Sequence, residues 1–250
     1  MLVGGAPTVF AASQSVSSAH VKTWKIVALG DSDTTGNGDP TRVGWVGRYA
    51  KLLRQRLGLH VPVMNLAHDG KTSAEFLSEV RSDAQTRAAV KSAQIILFGI
   101  GGADLNAGDA ELQAGKCKAE HCYAPVLAAF GRNFNATVAL VLKLRGSKKT
   151  ALRAITMPNV VPGAQDVIPS SATIDIGLYQ AKTLRQKICG AMRTHGGRCI
   201  DVLGAFNGPQ GTQNAYTKGL MNKSECCYPS AKGQQLMAEL LFRTGLAPLR

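Results

Sequence analysis

Short, uniformly apolar runs alternate along this chain with longer stretches whose apolar residues recur every three or four positions. Lys25–Leu29, Val61–Leu66, Gln94–Ile100, Ala151–Met157 and Cys199–Leu203 are too short and too evenly apolar to be amphipathic helices, and they predict buried strands. Between them, Trp45–Leu57, Ser73–Val90 (in one or two pieces), Tyr123–Leu144, Ile174–Arg193 and Ser230–Phe242 carry helical periodicity. In the longest, Val126, Phe130, Phe134, Val138 and Val141–Leu142 form one apolar stripe. Gly58 and Pro158 supply stop signals. Five buried strands separated by helices predict an α/β domain with a parallel sheet covered on both faces. Ligands of such sheets bind beyond the carboxyl ends of the strands, so the segments after Leu29, Leu66, Ile100 and Met157 should converge on a site.

The 250 residues suit one domain, assigned to 23–250, behind a leader at 1–22. The leader resembles the tail of a secretory signal: Val9-Phe10-Ala11 fits a small-residue cleavage site, although no basic segment precedes it. No apolar run reads as long enough to span a bilayer. The net charge of +13 favours acidic surfaces, yet the basic residues are scattered and densest at predicted helix ends, where they complement the helix dipole. No zinc-finger spacing or aromatic-interleaved basic strip is present, so nucleic acid is not an expected partner. A monomer is expected.

Six cysteines add a compartment. Cys117 and Cys122 bracket a short loop, and Cys189 and Cys199 bracket a helix end and the next strand. Two local disulfides are the natural reading for an exported protein, with buried free thiols the alternative. The adjacent Cys226 and Cys227 are compatible with a vicinal bridge or with reduced thiols.

Gly30-Asp31-Ser32 closes the first apolar run, Asn65-Leu-Ala-His-Asp-Gly70 follows the second, Gly99-Ile-Gly-Gly-Ala103-Asp104-Leu105 follows the third, and Glu225-Cys-Cys-Tyr228-Pro229-Ser precedes the last helix. In this order the four blocks resemble the SGNH/GDSL hydrolases, over about residues 24–244. The resemblance implies a three-layer α/β/α, flavodoxin-like fold and ester hydrolysis on lipids or glycans, with no cofactor and no metal. It implies Ser32 as nucleophile and the Gly70 N–H as an oxyanion donor. It also exposes two departures: Ala103 stands where the family has an asparagine amide, and Tyr228 where it has the histidine base. Glu225 keeps a carboxylate at the position of the residue that orients that base.

Those departures weigh against rapid catalysis. A serine needs a base to attack at neutral pH, and a tyrosine, with a pKa of about 10, is a poor one. Losing a triad member costs several powers of ten, and losing an oxyanion donor about 10²–10³ more. His68, two residues before Gly70, is the histidine expected to face the same crevice, and Asn106 could replace the lost amide. Asp31 and Asp104 are expected to brace the turns that carry them. Two other readings compete. A non-catalytic exported domain could bind an acylated glycan or lipid in the same cleft. Asp31 and Asp33 also fit the opening of haloacid-dehalogenase-like phosphatases, but Asp166, Asp175 and Asp201 do not form the late acidic pair which that chemistry needs.

Overall fold

The computed structural model describes Met1 and residues 21–249. Most of the proposed leader, with its cleavage site at Val9–Ala11, therefore lies outside the described residues. Five parallel strands form the centre: β1 (Ile26–Gly30), β2 (Val63–Asn65), β3 (Ile95–Gly99), β4 (Ala151–Ile155) and β5 (Arg198–Ile200), in the order β2-β1-β3-β4-β5. Side-chain alternation divides the core. Ile26, Ala28, Ile95 and Leu97 face a layer containing α2 (Gly44–Leu57) and α9 (Ala231–Arg243). Val27, Leu29, Ile96 and Phe98 face α3 (Ser73–Ser82), α4 (Ala84–Ser92), α6 (Ala124–Arg145) and α7 (Ile174–Thr194). The inner strands β1 and β3 read as unbroken apolar runs because they are buried on both sides, β4 is equally buried but carries Arg153, and the outer strands β2 and β5 are partly exposed.

The Ser73–Val90 region forms two helices, since Asp83 ends α3 and its side chain accepts from Thr86 N at 2.6 Å to start α4. The run Cys199–Leu203 is not one strand. It stops at Ile200, and Val202–Asn207 coils into α8, because Asp201 caps the turn and Thr156 Oγ1 accepts from Val202 N at 2.9 Å. The longest element without a predicted counterpart is α5 (Gly102–Gln113), whose only buried residue is Gly108 and which has no apolar stripe to announce it. A single 3-10 turn at Ala119–Cys122 follows it. α6 is long and apolar enough by length and composition to cross a membrane, contrary to the run-length reading. Here its Phe130 and Phe134 stack at 5.7 Å, and Phe134 meets Phe98 of the sheet edge-on.

Cys117 is bonded to Cys122, Cys189 to Cys199, and Cys226 to Cys227. The last pair sits in a two-stranded antiparallel hairpin, β6 (Met221–Asn222) with β7 (Tyr228–Pro229). Gln234, fully buried on α9, ties this hairpin to the first loop of the site. Its Oε1 accepts from Trp45 N at 2.9 Å, and its Nε2 donates to the carbonyls of Asn37 at 3.1 Å and Pro229 at 3.5 Å.

Gln234→Leu keeps the volume but leaves these backbone groups buried and unpaired. We expect a loss of about 3 kcal/mol in urea unfolding at pH 7; a change near zero would show that the bonds are dispensable.

Candidate active site

Ser32 owes its position to the way β1 ends. Gly30 pairs with Gly99 of β3, and a Cβ on Gly30 would run into the Gly99 carbonyl and Thr34 Oγ1. The two glycines thus let a single helical turn, α1 (Ser32–Thr35), sit on the sheet, where Thr34 Oγ1 donates to Gly99 O at 2.7 Å. Asp31, buried, caps that turn: its Oδ1 accepts from Asp33 N at 3.3 Å. Its Oδ2 accepts from Gly101 N at 2.9 Å and Gly102 N at 3.1 Å. One carboxylate therefore clamps the loop after β1 to the loop after β3.

The loop after β2 is registered on the same strand end. His68 N donates to Gly30 O at 3.1 Å, and Asn65 Nδ2 donates to Thr34 O at 2.8 Å. Gly70 follows with φ +74°, a left-handed conformation that suits glycine, and open space surrounds its α-carbon. At the start of α5, Gly101 has φ +138°. Asp104 turns away to accept from Ser73 N at 2.9 Å and from the Ser73 hydroxyl, locking α3 to α5.

Ser32, Gly70, Ala103 and Tyr228 all line one cavity of about 380 Å³ at the carboxyl end of the sheet. Asn106 lines it too, from the exposed side of α5. Three other expected site residues sit elsewhere. His68 is not part of the cavity wall, although its backbone N–H is bonded to the end of β1. Asp104 is occupied by Ser73. Glu225 pairs with Arg42 at 3.1 Å rather than facing Tyr228, and Arg42 also bonds Asn37. Among the described residues, no histidine lines the cavity.

Much of the wall lies beyond what sequence reasoning identified. Tyr123 donates to Asp109 at 2.6 Å, and both line the cavity. The segment after β4 contributes Met157, Val161 and Ile168, and α7 adds Ile176. Buried Asn159 braces this segment by donating to Gly211 O at 3.1 Å, while its backbone N–H donates to Asn207 Oδ1 at 2.9 Å. Proline-rich stretches such as Pro158–Pro169 carry no periodicity, so nothing local announces them.

The electrostatics centre on Asp31 and Asp33. Burial raises the pKa of both above the carboxylate range. On Asp31 the three N–H donors offset part of that rise. Asp33 has no such donor and lies beside the Asp31 charge, so it rises further and takes the proton first. The same environment bears on the phosphatase reading: both Asp31 oxygens accept from backbone N–H groups, so neither is presented as a free nucleophile.

Residues 28–236 match the model of the GDSL-like Lipase/Acylhydrolase family. The chain belongs to that family. It is 33% identical over 110 residues to YpmR, an uncharacterized protein of Bacillus subtilis strain 168, a match spanning 42% of this chain and 43% of that one. Among solved structures it is similar to the lipase Lip_vut3 from a goat rumen metagenome, with a TM-score of 0.76 and 21% identity over 91% of this chain and 100% of that one. It is also similar to a variant of the acetyl xylan esterase Axe2 from Geobacillus stearothermophilus, with a TM-score of 0.59 and 19% identity over 92% and 99% of the two chains. At such identities these two share the fold of this GDSL-family chain.

A raised folded-state pKa stabilises the protein fully below the unfolded value of about 4, and that stability is lost as pH rises through the folded value. Asp33→Asn removes the titration. The variant should therefore gain stability relative to the wild type steadily as pH climbs from 5 toward the folded value of about 8, and the difference should level off above it. Urea midpoints measured across pH 5–9 test this; parallel profiles for the two proteins would contradict it.

Proposed function

We propose that this chain binds acyl esters with the acyl part against the Met157–Ile176 wall and hydrolyses them slowly through Ser32. The observation that carries the reading is the cavity itself. Ser32 and Gly70 line it together with the apolar side chains of Leu105, Met157, Val161, Ile168 and Ile176. An apolar cleft with a few convergent polar groups suits a chain-bearing ester. Slow turnover follows from what the wall lacks. Tyr228 offers a phenol where a base is needed, Ala103 offers no amide, and Glu225 is held by Arg42.

Turnover of p-nitrophenyl hexanoate should fall at least about three orders of magnitude below the roughly 10 s⁻¹ common among enzymes. Ser32→Ala should abolish what remains, and Tyr228→His with Ala103→Asn should raise it by about 10² or more. A wild-type rate near 10 s⁻¹ that depends on Ser32 would refute the slow-turnover reading. No Ser32-dependent turnover, and no labelling of Ser32 by a fluorophosphonate, would leave a binding domain.

We also infer export. Three cysteine pairs, two of them closing short loops, support an oxidising compartment. Non-reducing peptide mapping of the protein from its native source should recover the Cys117–Cys122 and Cys189–Cys199 peptides linked. Free alkylation of Cys189 and Cys199 without reductant would count against export.

A further inference from the structure

We propose that Asp33 is the polar anchor of the cavity, donating a hydrogen bond from its neutral carboxyl to the carbonyl oxygen of a bound acyl group. It would thereby fill the place that Ala103 leaves without a donor. The inference rests on the acyl-ester reading and sharpens it: the preferred ligand is an uncharged carbonyl compound, not a free carboxylate.

Asp33 follows Ser32 in the single turn of α1, and both residues line the cavity. The residue is fixed in place, since its own carbonyl accepts from Trp45 Nε1 at 3.1 Å and its N–H is held by Asp31. The titratable groups around the cavity are Asp31 in the β1–α1 turn, Asp109 on α5, Tyr123 before α6 and Tyr228 on β7. None can neutralise a charge on Asp33. Asp31 is an acceptor for three backbone N–H groups, and Asp109 accepts from Tyr123.

Although the chain has 29 lysines and arginines against 16 acids, not one basic side chain among the described residues lines this cavity. A half-buried carboxyl beside the Asp31 carboxylate, with no cation in the cavity wall, retains its proton. A retained proton makes it a donor, as neutral carboxylic acids in apolar sites are when they stabilise developing oxyanions. With Ser32 and Gly70 and their N–H groups in the wall of the same cavity, a ligand carbonyl meets donors from three residues. A ligand carboxylate meets the Asp31 charge instead.

The test uses the full chain carrying Ser32→Ala, so that no probe is consumed, with Asp33→Asn and Asp33→Ala added separately. Calorimetric titration at pH 6 and pH 9 compares ethyl hexanoate, hexanoate and hexylammonium. With Asp33 intact, the ester should bind about tenfold more weakly at pH 9 than at pH 6 and more tightly than hexanoate at both. Asp33→Asn, which still donates, should stay within about threefold of the pH 6 affinity and lose the pH dependence. Asp33→Ala should bind about tenfold more weakly at pH 6. Ester binding that ignores both pH and Asp33→Ala would overturn the role of Asp33 alone. Hexylammonium binding that strengthens with pH and exceeds the ester would also overturn it, by making Asp33 an anionic receptor. If none of the three probes binds, the acyl reading falls and this one with it.

Discussion

The site is organised by the two oxygens of one buried carboxylate. Asp31 receives N–H groups from its own turn and from the turn after β3, and in doing so welds two loops that are 70 residues apart in the chain. Hydrogen bonds to a charged acceptor are roughly twice as strong as neutral ones, and these three lie where little water competes. The Gly30–Gly99 pair makes the weld possible, because any side chain there would lift α1 off the sheet. The placement of Ser32, the direction of α5 and the depth of the cavity all follow from this contact.

The same clamp explains how the architecture tolerates different side chains at positions 103 and 228. Asp31, Asn65 and Gln234 hold loops to strand ends and to each other, and they do so whether or not a base stands at position 228. The positions that depart from the family pattern, Ala103 and Tyr228, contribute to the wall of the cavity without their side chains joining that hydrogen-bond framework. Ala103 can therefore lack an amide, and Tyr228 an imidazole, with the packing left intact.

Local patterns carry much of the fold and only part of the site. Buried parallel strands announce themselves as apolar runs, so β1, β3 and β4 are legible almost to the residue. Ser32, Gly70, Ala103 and Tyr228 are also legible, because each lies in a short block next to an element boundary. What escapes depends on distant partners. Nothing near Glu225 reveals that Arg42, 183 positions away, will take its carboxylate. Nothing near Leu203 shows that Thr156 will capture the N–H groups that bend the chain into α8. α5 escapes for a different reason: it rides on the rim, buries almost nothing, and leaves no stripe to read.

The distribution of charge has a consequence for the order of events at this protein. Its net charge is strongly positive, and such a field draws anionic polymers or lipid surfaces from beyond contact range, fading over about 8 Å at physiological salt. The wall of the cleft holds the carboxyls of Asp31 and Asp109 and no cation among its described residues. On the acyl-ester reading proposed above, an ester held at a negative surface would be drawn in with that surface and would enter the cleft by its uncharged end. On the same reading, cleavage would turn that end into an acid whose charge the cleft repels, so release would be favoured by the same asymmetry that favours arrival.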